Sequence, residues 1–166
     1  MYLFHINAGF PIVDDEAEFI SNSTKIIPRD DRAKEGLDYY NKCQPPTAGF
    51  AEQVFYHEMA ADQDNHVYVA IVNKSFNNGH GIGLYVKYHK TQLPKFVQWK
   101  MMDERGYVIG LEPANCWVEG RTKERQRGTL DYLEPGGRRH YEVEIGVLTS
   151  NQEIDEFSSK VRNNLE

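Results

Sequence analysis

The chain has 166 residues and a formal net charge of −6, and 40% of its residues are hydrophobic and 27% charged. This length predicts one globular domain that buries roughly 70% of its unfolded surface. The acidic balance argues against a nucleic-acid partner, because phosphate backbones are bound by clustered Lys and Arg. No apolar run is long enough to cross a bilayer, so no membrane partner is expected.

The N-terminal sequence and the two cysteines predict a cellular compartment. Met-Tyr-Leu-Phe-His lacks the charged-then-apolar layout of a signal peptide. Cys43 and Cys116 have no metal or redox spacing. We therefore expect a cytoplasmic protein with two reduced thiols, the alternative being a disulfide between them.

The first 49 residues contain one strand signal and one long irregular segment. Residues 1–13 predict a short strand that leads into a turn at Gly9-Phe10-Pro11. Residues 14–49 begin acidic and contain several prolines, and they predict a long surface excursion of the chain. A loop of this length in a compact domain is usually functional or partly disordered.

Strand signals become dense after residue 50. Alternating or continuous apolar runs predict strands at 52–59, 67–72, 83–89, 96–102, 107–111 and 140–148. Asn78-Gly79 is a strong signal for a hairpin turn between the second and third of these strands. Six or seven strands without alternating helices predict a mainly β protein, an antiparallel β-sandwich.

The chain is predicted to end in one amphipathic helix over residues 151–165. Ser150 and Glu153 have the spacing of a capping box. Ile154, Phe157, Val161 and Leu165 follow at helical spacing and form an apolar stripe.

One strand delivers a carboxylate to its end. The run Gly106–Asn115 is apolar apart from Glu112, which is followed by Pro113. Because proline cannot donate to a β-ladder, the strand is expected to end at about Pro113. Glu112 is then held in one orientation and can reach a ligand, although a surface ion pair with Arg121 or Arg125 is an alternative role for it.

Six motifs occur in an order that resembles the C-terminal half of the aldose 1-epimerase-like proteins, relatives of galactose mutarotase that include an uncharacterised bacterial branch. The resemblance extends over nearly the whole chain and is weakest at residues 14–49. The motifs that carry it are His5–Pro11, Leu93–Lys100, Gly110–Asn115, Gly120–Arg125, Leu133–Gly136 and Glu144–Leu148.

This resemblance implies a fold and a reaction. The fold is part of the galactose mutarotase-like supersandwich. In galactose mutarotases a histidine on an early strand is the general acid and a glutamate on a later strand is the general base, and the motifs place these roles on His5 and Glu112. Acid/base opening of a pyranose ring interconverts the anomers of a monosaccharide and needs no metal or organic cofactor. Alone, a histidine in a short strand is more often a hydrogen-bonded structural group.

Four further residues are candidates for substrate binding, each with a structural alternative. Trp99 could stack on the apolar face of a sugar or be a core or edge aromatic residue. Arg121 and Arg125 could hold a hydroxyl or an anion, or be charges on a solvated loop. Asn7 could orient His5, bind a substrate hydroxyl or satisfy the backbone of the following turn.

The resemblance also implies that a first half, with another substrate-binding histidine and an arginine, is missing from this chain. The chain is therefore expected to be a truncated frame, a fragment or a natural short form, and to self-associate or pair with a separately made N-terminal half. Activity alone would be weak. The alternatives are a non-catalytic carbohydrate-binding sandwich and the remnant of a split gene. The sugar is not named by the sequence.

Overall fold

A computed structural model describes residues 1–163, which form two antiparallel sheets. The five-stranded sheet contains, in spatial order, β1 (Ile6–Ala8), β8 (Val108–Ala114), β7 (Lys95–Met101), β4 (Gln53–Met59) and β3 (Ser23–Pro28). The four-stranded sheet contains β2 (Glu18–Ser21), β5 (His66–Asn73), β6 (Ile82–His89) and β9 (Val143–Leu148).

The helices are short except for the last. They are α1 (Asp31–Glu35), a 3₁₀ helix at Leu37–Tyr39, α2 (Phe76–Gly79), α3 (Arg121–Gln126) and α4 (Asn151–Asn163). α2 is a turn in which Asn77 and Asn78 have positive φ angles of 52° and 58°, and it connects β5 to β6 as the hairpin signal predicts. No helix among residues 1–163 is long and apolar enough to span a membrane.

The core lies between the two sheets. Phe96 and Leu111 enter it from the five-stranded sheet, and Val69 and Val86 enter it from the other, all with 0% exposure. Side chains of a strand alternate between its two faces. Every second residue of a strand that contributes to this core therefore points outward. The predicted antiparallel β-sandwich is confirmed.

Helix α4 covers the outer face of the four-stranded sheet, with Ile154 and Val161 buried against it and Phe157 packed beside them. Ser150 caps the helix, since its Oγ accepts from the N–H of Glu153 at 3.3 Å. The predicted helix extended to residue 165. The helix is described from Asn151 to Asn163, and the rest of the predicted range, including Leu165, lies outside the described residues.

The prediction of an irregular excursion over residues 14–49 is wrong. The segment contains β2, which pairs with β5, and β3, which pairs with β4, so it adds an edge strand to each sheet. Asp30 then caps α1 by accepting from the N–H of Ala33 at 2.9 Å. Edge strands are covered on fewer sides and carry mixed side chains, which hides the alternation that marks a buried strand.

The strand that carries Glu112 includes Pro113 and ends at Ala114, one residue after the predicted end at about Pro113. The carbonyl oxygen of Pro113 accepts from the N–H of Phe4 at 3.0 Å. Because the N–H and C=O groups of a residue in an antiparallel strand point to the same neighbour, the missing N–H of the proline faces the N-terminal segment rather than β7. The ladder between β7 and β8 is therefore complete, while His5 lies beside the weakened pairing.

Two buried polar side chains of β7 hold the segment that follows α1. Lys100 Nζ donates to the carbonyl oxygens of Tyr39 at 2.7 Å and Lys42 at 2.5 Å, and Gln98 Nε2 donates to that of Tyr40 at 2.8 Å. Burial lowers the pKa of Lys100 to about 8. These bonds satisfy polar groups that would otherwise be costly inside the sandwich.

Replacing Leu111 by Ala tests whether core burial holds the strand that carries Glu112. Leu111 is completely buried, so L111A should lower the free energy of unfolding by about 2–5 kcal/mol. V147A is the control, because Val147 is 53% exposed and its truncation should cost less than about 1 kcal/mol. Urea unfolding followed by circular dichroism measures both, and equal losses would contradict the described packing.

Candidate active site

The candidate site lies on the outer face of the five-stranded sheet, opposite the core. In the register of β7 and β8, Val97 pairs with Glu112 and Trp99 pairs with Gly110. Since Leu111 points into the core, Glu112 on the same strand must point outward. Ile6 pairs with Leu111, so the preceding residue, His5, lies opposite Glu112 on the outer face.

His5 and Glu112 are in direct contact. Nε2 of His5 is 3.1 Å from Oε1 of Glu112, and the side chains are 47% and 3% exposed. The two atoms are close without being aligned as a hydrogen bond, and within residues 1–163 no aligned donor reaches the buried Oε1 atom. The structure therefore brings together the two residues to which the motifs assign an acid and a base. It leaves no room between them, so a ligand must approach the pair from the side.

The environment of Glu112 shifts its protonation equilibrium. Burial, reinforced by the nearby carboxylate of Glu52, raises the pKa of Glu112 from 4.5 to about 7. Desolvation disfavours the charged form of a carboxyl group, and a second negative charge acts in the same direction. A carboxyl group with a pKa near neutrality can both take and return a proton at physiological pH.

Arg29 and Glu52 belong to the site but were not among the residues predicted from the sequence. Glu52 Oε2 accepts from Nε1 of Trp99 at 2.8 Å, and Glu52 Oε1 accepts from Nη2 of Arg29 at 3.0 Å. Arg29 directly follows β3, and Glu52 directly precedes β4. The missed strand β3 is the reason for the omission, since its pairing with β4 is what brings Arg29 to the site.

These residues surround a cavity of about 340 Å³. Its apolar wall faces the polar groups already described, an arrangement found in sites for small ligands. The complete lining consists of Leu3, His5, Arg29, Glu52, Val54, Val97, Trp99, Glu112 and Val118. Trp99 contacts His5 edge to face, with ring centroids 5.5 Å apart, and it lines the cavity, while its role in binding a ligand stays a prediction.

Three other predicted residues lie outside this lining. Asn7 is exposed on the same face, where it pairs with Gly110. Arg121 and Arg125 are exposed on α3, which is a helix where a solvated loop was expected. The contact of Glu112 is with His5, so the alternative of a surface ion pair between Glu112 and either arginine is wrong.

Gly110 makes room for the carboxyl group. A Cβ atom at this position would lie 2.6 Å from Oε1 of Glu112 and 3.0 Å from Cβ of Trp99. Both distances are shorter than ordinary van der Waals contact. The absence of a side chain at Gly110 therefore allows Glu112 to fold back against the sheet.

Replacing Gly110 by Ala should lower the pKa of Glu112 from about 7 toward its ordinary value, because the added methyl group displaces the carboxyl group from its buried position. A ¹³C NMR titration, with the signal assigned by E112Q, measures this pKa. G106A is the control, since a Cβ at Gly106 would be 3.6 Å from its nearest neighbour. An unchanged pKa in G110A would contradict the described packing.

Replacing Glu112 by Gln should make the protein relatively more stable at high pH. Between pH 4.5 and about 7 the unfolded chain ionises Glu112 while the folded chain keeps it protonated, so wild-type stability falls as pH rises through this window. Relative to wild type, E112Q should gain up to about 3 kcal/mol between pH 4 and pH 8. Urea unfolding at both values measures the gain, with E58Q as an exposed control. A difference independent of pH would contradict the raised pKa.

Comparison with known proteins gives a family and a solved relative. Residues 1–147 match the family model described as "Domain of unknown function (DUF4432)". The chain is also similar to a crystal structure from Klebsiella pneumoniae subsp. pneumoniae MGH 78578, described as a "putative aldose 1-epimerase", with a TM-score of 0.92 and 29% sequence identity. No curated protein matches the chain.

The similarity to the Klebsiella protein covers 99% of this chain and 42% of the other. The chain therefore spans less than half the length of that relative, with the mainly β, aldose 1-epimerase-like sandwich fold in common. Because the family model covers most of its residues, the chain belongs to the DUF4432 family.

Proposed function

We propose that this protein interconverts the anomers of an aldose by acid/base opening of the pyranose ring, with Glu112 as the general base and His5 as the general acid. One observation carries the proposal. A buried carboxyl group with a pKa raised to about 7 lies 3.1 Å from a half-exposed imidazole at the wall of a cavity.

The two groups can serve the two oxygen atoms of the anomeric centre. Glu112 takes the proton of the anomeric hydroxyl, the electron pair of that O–H bond forms the C1=O1 double bond, and the bond from C1 to the ring oxygen breaks. The ring oxygen takes a proton from His5. Because both oxygens are bonded to the same carbon, side chains in contact with each other can reach both from one side of the cavity.

Reversal of these steps closes the ring. After rotation about the C1–C2 bond, the hydroxyl group attacks the other face of the carbonyl carbon. His5 recovers its proton from the ring oxygen, and Glu112 returns its proton to O1. Both groups end in their starting states, and every step is a proton transfer coupled to one C–O bond.

The surrounding residues support positioning. The hydrogen bond from Trp99 to Glu52 fixes the indole ring, and Arg29 holds Glu52 in turn. The fixed indole contacts the ring of His5 and offers an apolar surface to the C–H face of a sugar. The carboxylate of Glu52 also helps to raise the pKa of Glu112, so one group both orients the indole and adjusts the base.

The proposal includes additional polypeptide at the edge of the four-stranded sheet. The chain corresponds to 42% of its solved relative, and Ile145 and Val147 of the edge strand β9 are each 53% exposed. Exposed apolar side chains on a sheet edge are favourable sites for association. We infer that a second copy, or a separately made N-terminal half, covers this edge, and that the chain alone would turn over sugar slowly.

H5N and E112Q should each lower the rate of anomer interconversion by about 10²–10⁴-fold, the usual contribution of one general acid or base. NMR exchange spectroscopy on a panel of aldoses measures the rate. E58Q and H80N are matched controls, because Glu58 and His80 are exposed and lie outside the cavity lining.

A variant at His5 or Glu112 that keeps the full rate would remove that residue from the mechanism. If the wild-type protein binds a sugar of the panel without accelerating its interconversion, the result favours a non-catalytic carbohydrate-binding sandwich instead.

A further inference from the structure

A second and larger cavity, of about 510 Å³, lies at the end of β7 and β8. It is bounded by the connection from β6 to β7 and by the loop that leads into β9. The charged residues and histidine of its lining are Lys95, Asp131, Arg138, Arg139 and His140. Three cationic side chains thus face one carboxylate, in a protein whose net charge is −6.

The carboxylate in this cavity is already engaged. Asp131 Oδ1 accepts from Nη2 of Arg139 at 2.6 Å, and Oδ2 accepts from Nδ2 of Asn115 at 3.2 Å. Arg139 Nη2 also donates to the carbonyl oxygen of Tyr132 at 3.1 Å. Asp131 and Arg139 therefore neutralise each other and form one side of the cavity.

Arg138 and Lys95 have no such partner. Within residues 1–163, neither side chain makes an ion pair or a hydrogen bond, and the contact of Lys95 is with the ring of Trp117, 4.7 Å from its Nζ atom. Because Arg139 neutralises Asp131, the two unpaired cations create a positive potential in this cavity, which favours a small anion. The hydroxyl group of Thr129 also lines this cavity and adds a neutral donor.

The second cavity lies near His5 and Glu112, on the same sheet. Lys95 and Val97 lie on the same face of β7, and Val97 lines the first cavity. Lys95 pairs with Ala114 while Val97 pairs with Glu112. Lys95 is therefore one pleat repeat, or about 7 Å along the strand, from the row that contains Glu112.

On the basis of the proposed function, we propose that the second cavity binds an anionic substituent of the sugar, with a phosphate, sulfate or carboxylate group held by Arg138 and Lys95. The planar guanidinium group can bind such an oxyanion through two parallel hydrogen bonds, and the ammonium group adds a point charge. The substrate class is then an anionic aldose whose anomeric carbon lies at His5 and Glu112.

Inorganic phosphate tests the cavity independently of catalysis. Isothermal titration calorimetry on the wild-type protein should detect binding, and R138Q and K95Q should each weaken it by about 10-fold or more. E112Q should bind phosphate as the wild type does. R105Q is the control, because it removes one positive charge that is also exposed and lies outside both cavities. Absence of binding, or equal weakening by R105Q and R138Q, would overturn the anion site.

Paired sugars test whether the anion belongs to the substrate. Rates with glucose 6-phosphate and glucuronate are compared with the rate for glucose, and R138Q should lower the preference for the charged sugars by about 10-fold or more. An unchanged preference in R138Q would overturn the assignment of the anion to the substrate. If no sugar is interconverted, the proposed function fails, and the phosphate titration alone decides the anion site.

Discussion

The site depends on the burial of one carboxyl group at the surface of a rigid sheet. Leu111 anchors β8 in the core, and strand alternation then forces Glu112 onto the opposite face, where it is 2% exposed. A carboxyl group placed in this way is partly removed from water. Its charged form is then disfavoured, so it holds its proton more tightly than a free side chain does. The same constraint orients the group, because the ladder with β7 fixes the strand on which it lies.

The rest of the site follows from this one buried group. Gly110 leaves the space into which the carboxyl group of Glu112 folds. Pro113 weakens the backbone pairing beside His5, the residue that faces Glu112. Trp99, Glu52 and Arg29 form a chain of hydrogen bonds along the next rows of the sheet. A charged group kept in an unfavourable environment costs stability, and such a cost is common at sites where function requires it.

The sequence predicted the features that alternation and capping encode. The central strands β4 to β8 and the terminal helix were predicted, because long alternating or apolar runs and a capping box are strong local signals. β2 and β3 were missed, since short edge strands with mixed side chains lack such signals. Arg29 was missed for the same reason, because the pairing of β3 with β4 brings it to the site.

Proximity between distant residues was harder to predict. The contact between His5 and Glu112 spans more than a hundred residues, and it was proposed only because motifs resembled those of a known family. The structure also places the two side chains in direct contact, with no room for a ligand between them. Arg121 and Arg125 showed the opposite problem: their residue types suited a sugar site, but the turn after β8 carries them onto an exposed helix.

The pH dependence of anomer interconversion tests the central claim most directly. If a buried Glu112 is the base, kcat/KM should rise with pH along an acid limb whose midpoint is near the pKa of about 7, because only the deprotonated group can take the anomeric proton. An acid limb near pH 4.5, the value of an ordinary glutamate, or a rate with no acid limb, would contradict the account.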